Sequence, residues 1–352
     1  MKRRDFFLRT GAAALGGLLL PLQGQASQML SDQFMKQKIL KPRMIRPGAV
    51  VGLIAPASPP APEKFDKAFA NLSALGYQVK AGDHLRDQYG HLAGRDADRL
   101  ADLHRAFADP EVDVVWCIRG GYGCSRLLPD LDFDLIRRNP KPFIGYSDVT
   151  ALHVAIGQKT GLVTFHGTVA AGDFPDNTLQ HFRAVLTEGK SEHTIVAPAA
   201  TDVLTGPEYR PFVIAPGKAR GRLTGGNLAL LSALAGTAFE PDFRDKIVFI
   251  EDVGEQPYRI DRMLTQLIQA TNLKRAAGIV LGVFAECQPK EGSFSLSLED
   301  TLRDLLAPLG LPAMYGIPFG HVPYQAVLPY GIMAEMDTES RSLTLLENAV
   351  EA

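Results

Sequence analysis

From Gly48 onward, short apolar runs alternate with segments whose apolar positions recur every three or four residues. The runs AVVGLIAP (49–56), VDVVWCI (112–118) and PFIGYS (142–147) have strand length and are rich in Val and Ile. Between them Glu63 to Leu75 and Ala97 to Phe107 carry helical spacing, and a further helix, Val149 to Ile156, begins directly after PFIGYS. This alternation predicts an α/β fold built on a parallel sheet. VDVVWCI is apolar at nearly every position, as expected of a strand covered by helices on both faces, and is therefore placed centrally.

The pattern weakens after Gly167, where Gly172-Asp173-Phe174-Pro175, VAPAA and several prolines leave one modest helix, Thr178 to Leu186. Residues 168–217 read as an interdomain connection between an N-terminal α/β domain (45–167) and a C-terminal one (218–348). The second unit runs through Gly221 to Asn227, a helix ending near Leu234, the strand KIVFIED, the helix Arg259 to Ala270 and the strand AAGIVLGVF. Ser297 and Asp300 form a capping box at the start of a helix over 298–305. MAEMDTESRSLTLLE (333–347) reads as a closing hairpin.

The amino terminus departs from this pattern. MKRRDFF precedes an apolar stretch, Thr10 to Leu22, and the small-x-Ala triplet Gly24-Gln25-Ala26. Residues 1–26 are read as an export signal, and Arg3-Arg4 before Asp5, Phe6, Phe7 and Leu8 resembles the twin-arginine class, implying a periplasmic protein. The apolar stretch is shorter than a membrane span, and nothing later in the chain is long enough to be one. Lys+Arg 37 against Asp+Glu 39 in 352 residues leaves no clustered basic surface, which excludes a general nucleic-acid binder. Of the three cysteines, Cys117 and Cys287 lie in apolar runs and read as small buried hydrophobes, while Cys124 lies in a Gly-rich loop. With no Cys-x-x-Cys or His-Glu-x-x-His pattern, neither a metal nor another cofactor is expected.

The segment richest in chemistry is PFIGYSD, an apolar strand ending in Gly-x-Ser just before a helix. Such a bend lifts a serine hydroxyl out of a sheet and aims the first N–H groups of the helix at it. Val149 stands where the usual elbow has a second glycine, and Ser147 as a mere helix cap is the competing reading. VDVVWCI runs into Arg119-Gly120-Gly121-Tyr122-Gly123, whose glycine N–H groups suit a second oxyanion donor or, more plainly, a tight turn. Among eight histidines, His321 after Ile317-Pro318-Phe319-Gly320 is displayed as a general base would be, and His166 at a strand end is the rival. Glu251 ends an apolar strand and is the candidate acid, with Asp252 and Glu255 as alternatives and an ion pair to Arg259 or Arg262 as the plain reading.

These residues sit in motifs that together resemble the LD-carboxypeptidase family of serine peptidases over nearly all of the chain from Val50 to Leu345. The resemblance rests on VGLIAPAS, IRGGYG with RLLPDLD, FIGYSDVTALH, GRLTGGN, FIEDVGEQPYRIDRML, and GIPFGH with LPYG, in the family's order. It implies a Ser-Glu-His triad on Ser147, Glu251 and His321, with the N–H groups of Gly121 and Asp148 as oxyanion donors. It also implies an N-terminal α/β domain carrying the nucleophile, a smaller C-terminal α/β domain carrying acid and base, and a homodimer.

The substrate implied is a peptidoglycan-derived tetrapeptide, cut between the L-centre of a diamino acid and a terminal D-Ala, with no cofactor. A related branch hydrolyses microcin-type peptide–nucleotides. The export signal is a departure, since familiar members work in the cytoplasm. Arg119, Arg222, Asn227 and His166 are the candidates for gripping substrate. An esterase or amidase with the same triad is the rival enzyme, and a periplasmic solute-binding protein is the rival without catalysis.

Overall fold

A computed structural model describes residues 38–198 and 206–352. The signal expected over residues 1–26 lies outside the described residues. The chain forms β1 (Val50–Ile54), β2 (Gln78–Ala81), β3 (Val114–Cys117), β4 (Phe143–Gly145), β5 (Phe165–His166), β6 (His193–Val196) and β7 (Phe212–Ala215). These are followed by β8 (Lys218–Asn227), β9 (Lys246–Val253), β10 (Gly278–Ala285), β11 (Ala313–Tyr315), β12 (Leu328–Pro329), β13 (Met333–Asp337) and β14 (Ser342–Leu345). The result is a mixed α/β fold with two sheets, one of six strands in the order β12-β5-β4-β3-β1-β2 and one of eight in the order β6-β14-β13-β8-β9-β10-β11-β7.

In the first sheet β1 to β5 are mutually parallel and β12 is antiparallel to β5. β3 lies centrally, between β1 and β4, and all four of its residues are buried. Its Trp116 is fully enclosed, stacks on Phe182 and donates Nε1–H to the Thr168 carbonyl at 2.9 Å. In the second sheet β8 to β11 run parallel, and the hairpin β13–β14 closes one side antiparallel to β8. Ser297 caps the helix Leu298–Leu306 as expected, its Oγ accepting from Asp300 N–H at 3.0 Å.

Three features need long-range pairing to appear. The stretch read as a connection supplies β6 and β7, the two outer strands of the second sheet. β12, far along the chain, returns to pair with His166 and Phe165 in the first sheet. The sheets approach where Gly225-Gly226-Asn227 meets the helix Thr150–Thr160: a side chain at Gly226 would lie 2.5 Å from the Thr150 side chain, so only glycine fits there. Thr150 Oγ1 accepts from Asn227 N–H at 3.0 Å, and Tyr330 donates its hydroxyl to the Gly225 carbonyl at 2.8 Å. Cys117, Cys124 and Cys287 are all buried and unpaired.

Candidate active site

Ser147 follows β4 in a bend tight enough to hold a non-glycine residue at φ 64°. That left-handed conformation is costly for a side-chain-bearing residue and persists where the surroundings enforce it. They do so through two glycines. A Cβ on Gly120 would lie 2.9 Å from Ser147 Cβ and 3.1 Å from the Tyr146 carbonyl oxygen. A Cβ on Gly145 would meet Val149 Cγ1 at 3.0 Å and Cys117 Cβ at 3.2 Å, so the buried valine that replaces the usual second glycine uses space that Gly145 leaves open.

The loop after β3 is fastened to this bend by a side chain whose role the sequence did not disclose. Asp148 is buried, and its carboxylate accepts from Cys124 N–H at 2.8 Å. Burial raises its pKa, against the amide hydrogen bonds that favour the anion. Arg99, itself buried, holds the same loop by donating to the Gly123 carbonyl at 3.1 Å and to the Pro56 carbonyl. Gly121 adopts φ 125°, and a side chain on it would collide with Ser58. The positive φ is what the tight-turn reading of this loop requires.

His321 reaches the bend from the loop after β11. Its Nε2 lies 3.2 Å from Ser147 Oγ and its Nδ1 lies 2.7 Å from Glu251 Oε2. Glu251 is fully buried at the carboxyl end of β9. Gly320 makes room for it, since a Cβ there would stand 2.6 Å from Glu251 Oε2. Burial works against the imidazolium of His321, but the Glu251 charge and hydrogen bond outweigh it and raise the His321 pKa. The carboxyl of Glu251 is lowered in turn: burial opposes its charge, while His321, His166 and Asn227 favour it.

The loop carrying His321 is stapled by Gln325, a second residue that sequence reasoning passed over. It donates Nε2–H to the Gly320 carbonyl at 2.6 Å, accepts from Thr168 Oγ1 at 2.9 Å, and its N–H donates to Thr178 Oγ1 at 2.8 Å. An amide directly before the apolar run Ala326-Val327-Leu328 was the available signal. The rivals for the acid do other work. Asp252 accepts from Asn227 Nδ2, Ala229 N and Val253 N at 3.0, 3.0 and 2.8 Å. Burial and the adjacent Glu251 charge push its carboxyl up to about 7, against those three donors. Glu255 pairs with Arg259 at 3.4 Å on the surface.

Ser147 and His321 open into a cleft of about 410 Å³. Of the four residues considered for substrate binding, only Arg119 lines it. Its Nε and Nη1 donate to the Gly120 and Pro59 carbonyls at 3.0 and 3.2 Å, which fixes the guanidinium without a carboxylate partner among the described residues. Lys64, not singled out from the sequence, joins it on the cleft wall. Arg222 instead faces Glu347 at 3.1 Å and the Gly331 carbonyl at 2.6 Å, a tie from β8 to the segments just before β13 and just after β14. Asn227 is buried as the cap of the helix Leu228–Leu234. His166 is buried too, enclosed by aromatic rings. None of these three lines the cleft: Asn227 and His166 are buried in the packing between elements, and Arg222 is held by its partners away from it.

Among the described residues, His84, Asp87 and Asp98 bring possible metal-ligating atoms within 4.8 Å of one another, and none of the three lines the cleft. No helix among the described residues is long and apolar enough to cross a membrane.

Two α/β sheets meeting at a strained serine, with an imidazole between its hydroxyl and a buried carboxylate, define the geometry of a serine hydrolase. Residues 51–167 match the LD-carboxypeptidase N-terminal domain, and residues 220–336 match the LD-carboxypeptidase C-terminal domain. The chain is 44% identical over 310 residues to the probable murein peptide carboxypeptidase of Bacillus subtilis (strain 168), covering 87% of this chain and 94% of that one. Among solved structures it is similar to the muramoyltetrapeptide carboxypeptidase from Oxalobacter formigenes, with TM-score 0.72, 30% identity and coverage of 84% and 97%. It is also similar to the microcin C7 self-immunity protein MccF, with TM-score 0.79, 25% identity and coverage of 89% and 100%. The chain belongs to the LD-carboxypeptidase family and is an enzyme of the carboxypeptidase class.

Proposed function

We propose that the protein removes a terminal D-alanine from murein tetrapeptide by acyl transfer, cutting after the L-centre of the diamino acid. The observation that carries this reading is the unbroken hydrogen-bonded path from Ser147 Oγ through His321 to buried Glu251, at 3.2 and 2.7 Å. His321 takes the serine proton as Oγ attacks the carbonyl carbon, then delivers it to the leaving amine of D-alanine. The N–H groups of Gly121 and Asp148 receive the oxyanion, and water then releases the tripeptide from Ser147. Glu251 keeps the imidazole in the tautomer whose Nε2 accepts. Incubation with muropeptides of defined stereochemistry, read by mass spectrometry, should show loss of one alanine only when that residue is D. Equal loss of L-alanine, or no loss, would remove this reading.

Arg119 is the residue that receives the substrate's free carboxylate in this scheme. It is prepositioned by two main-chain carbonyls beside the oxyanion loop and has no carboxylate partner among the described residues. A charge-assisted hydrogen bond is worth about 1.5–3 kcal/mol, so Arg119→Ala should raise KM roughly 10- to 100-fold while changing kcat much less. An unchanged KM would reassign the guanidinium to holding the loop. The likeness to the microcin C7 self-immunity protein supports a second reading, cleavage of a peptide–nucleotide by the same triad. A peptide–nucleotide offered beside the tetrapeptide decides between them by relative kcat/KM.

Residues 1–26 are proposed to direct export, so that the enzyme trims wall peptides outside the cytoplasm. Replacing Arg3 and Arg4 together with lysine should retain the protein in the cytoplasmic fraction; undiminished export would leave the twin-arginine reading without support.

A further inference from the structure

His166 occupies the register position opposite Gly145, one strand away from the bend that carries Ser147, yet it is only 1% exposed. Tyr146, Phe249 and Phe319 surround its ring edge-on, with centroid separations of 5.8, 5.5 and 6.1 Å. An imidazole sealed in such a box ordinarily turns a nitrogen toward a partner, because burying a polar group without a hydrogen bond is costly. Neither nitrogen of His166 has one among the described residues. Glu251 lies two residues beyond Phe249 on β9, so the two side chains emerge on the same face of the strand. It uses Oε2 on His321 and leaves Oε1 buried with no hydrogen-bond partner among the described residues. Asn227, the neighbouring amide that also favours the Glu251 charge, gives Nδ2 to Asp252 at 3.0 Å. Tyr146 touches both imidazoles, with its ring 5.8 Å from His166 and 4.9 Å from His321, which places His166 beside the Glu251–His321 pair.

An enclosed water bonded to two or more buried polar groups is the ordinary way such atoms are satisfied. We propose that His166 is a positioning residue for the acid of the triad: its N–H donates to one enclosed water, which donates in turn to Glu251 Oε1. The carboxylate is thereby held ionised and aimed at His321. The inference rests on the serine mechanism above and extends it one group inward. Burial pushes His166 down to about 4, so the ring is neutral at working pH and has one N–H to give. The ionisable groups facing it are Tyr146 from the bend, Glu251 from β9, His321 from its loop and His153 from the helix Thr150–Thr160. Burial lowers His153 to about 3 and raises Tyr146, which leaves His321 as the group that changes charge in the working range.

The test compares wild type with His166→Phe, whose ring suits an aromatic box, and His166→Gln, which keeps a donor. The rate at which a fluorophosphonate labels Ser147 is followed against pH, alongside kcat and KM on the tetrapeptide. In the phenylalanine variant labelling should slow by about tenfold or more, with KM within about twofold of wild type. Its acid limb should move up by roughly 0.5 pH unit or more, because a less stabilised Glu251 holds the His321 proton more tightly. The glutamine variant should recover most of the rate and return the limb toward the wild-type position. A phenylalanine variant with the wild-type limb and rate would overturn the proposal. Should that variant fail to fold, a high-resolution crystal structure decides, since absence of a water within hydrogen-bonding reach of both His166 and Glu251 Oε1 would overturn it equally. Wild-type protein that is not labelled at all would instead sink the serine mechanism.

Discussion

Replacing Ser147 with alanine should lower kcat on the tetrapeptide by about a millionfold, leaving only the residual rate that binding and oxyanion stabilisation provide. The size of the effect follows from the division of labour. His321 and Glu251 act on the proton of one hydroxyl, so removing that hydroxyl silences all three. The fold should survive, because among the described residues Ser147 Oγ bonds to His321 and to no structural group. Ser147→Gly should be equally inactive and, by relieving the left-handed backbone at φ 64°, more stable than the alanine variant by about 1 kcal/mol. Denaturant unfolding of the two variants measures this difference. A glycine variant no more stable than alanine would mean the bend is not strained.

Glu251→Gln should lower kcat by roughly 10³- to 10⁴-fold while preserving shape. The amide donates to His321 Nδ1, which moves the ring proton to Nε2 and leaves no lone pair facing Ser147 Oγ. Asp252→Asn, altering the acid next along the strand, should cost far less, since Asp252 caps backbone and amide groups rather than the imidazole. The reverse ranking would reassign the acid. In wild type, catalysis needs neutral His321, so kcat/KM should rise with pH through a pKa above the ordinary imidazole value. The linkage to stability has the opposite slope for the two partners. The raised His321 stabilises the fold below the unfolded imidazole pKa, and this is lost as pH rises through the folded value. The lowered Glu251 stabilises above the unfolded carboxyl pKa, and this is lost as pH falls through the folded one.

The parts of this site legible in the sequence are those fixed by local chemistry. An apolar run ending in Gly145-Tyr146-Ser147, glycines after a buried strand, an acid near the end of an apolar strand and a histidine after Ile317-Pro318-Phe319-Gly320 all announce themselves within a few residues. The central position of β3 was readable for the same reason: VVWC has no polar face. What escaped depends on partners distant in sequence. Arg222 looked like a substrate grip beside Gly225-Gly226-Asn227, but Glu347, from the far end of the chain, takes its charge. The glycines there serve the approach of Thr150 instead. His166 sat at a strand end, where histidines often line crevices, and only the arrival of Phe249 and Phe319 from the second sheet encloses it. β6 and β7 are short and flanked by prolines, so nothing local marked them as strands of a sheet assembled from later segments.

The central claim is that one serine carries the acyl group. Rapid-quench mass spectrometry of the enzyme mixed with excess tetrapeptide measures this directly. A mass increase equal to the tripeptide acyl group, located on the peptide containing Ser147 and abolished by Ser147→Ala, is the predicted result. D-alanine released in the first turnover while Ser147 stays unmodified, or an adduct on another residue, would contradict it.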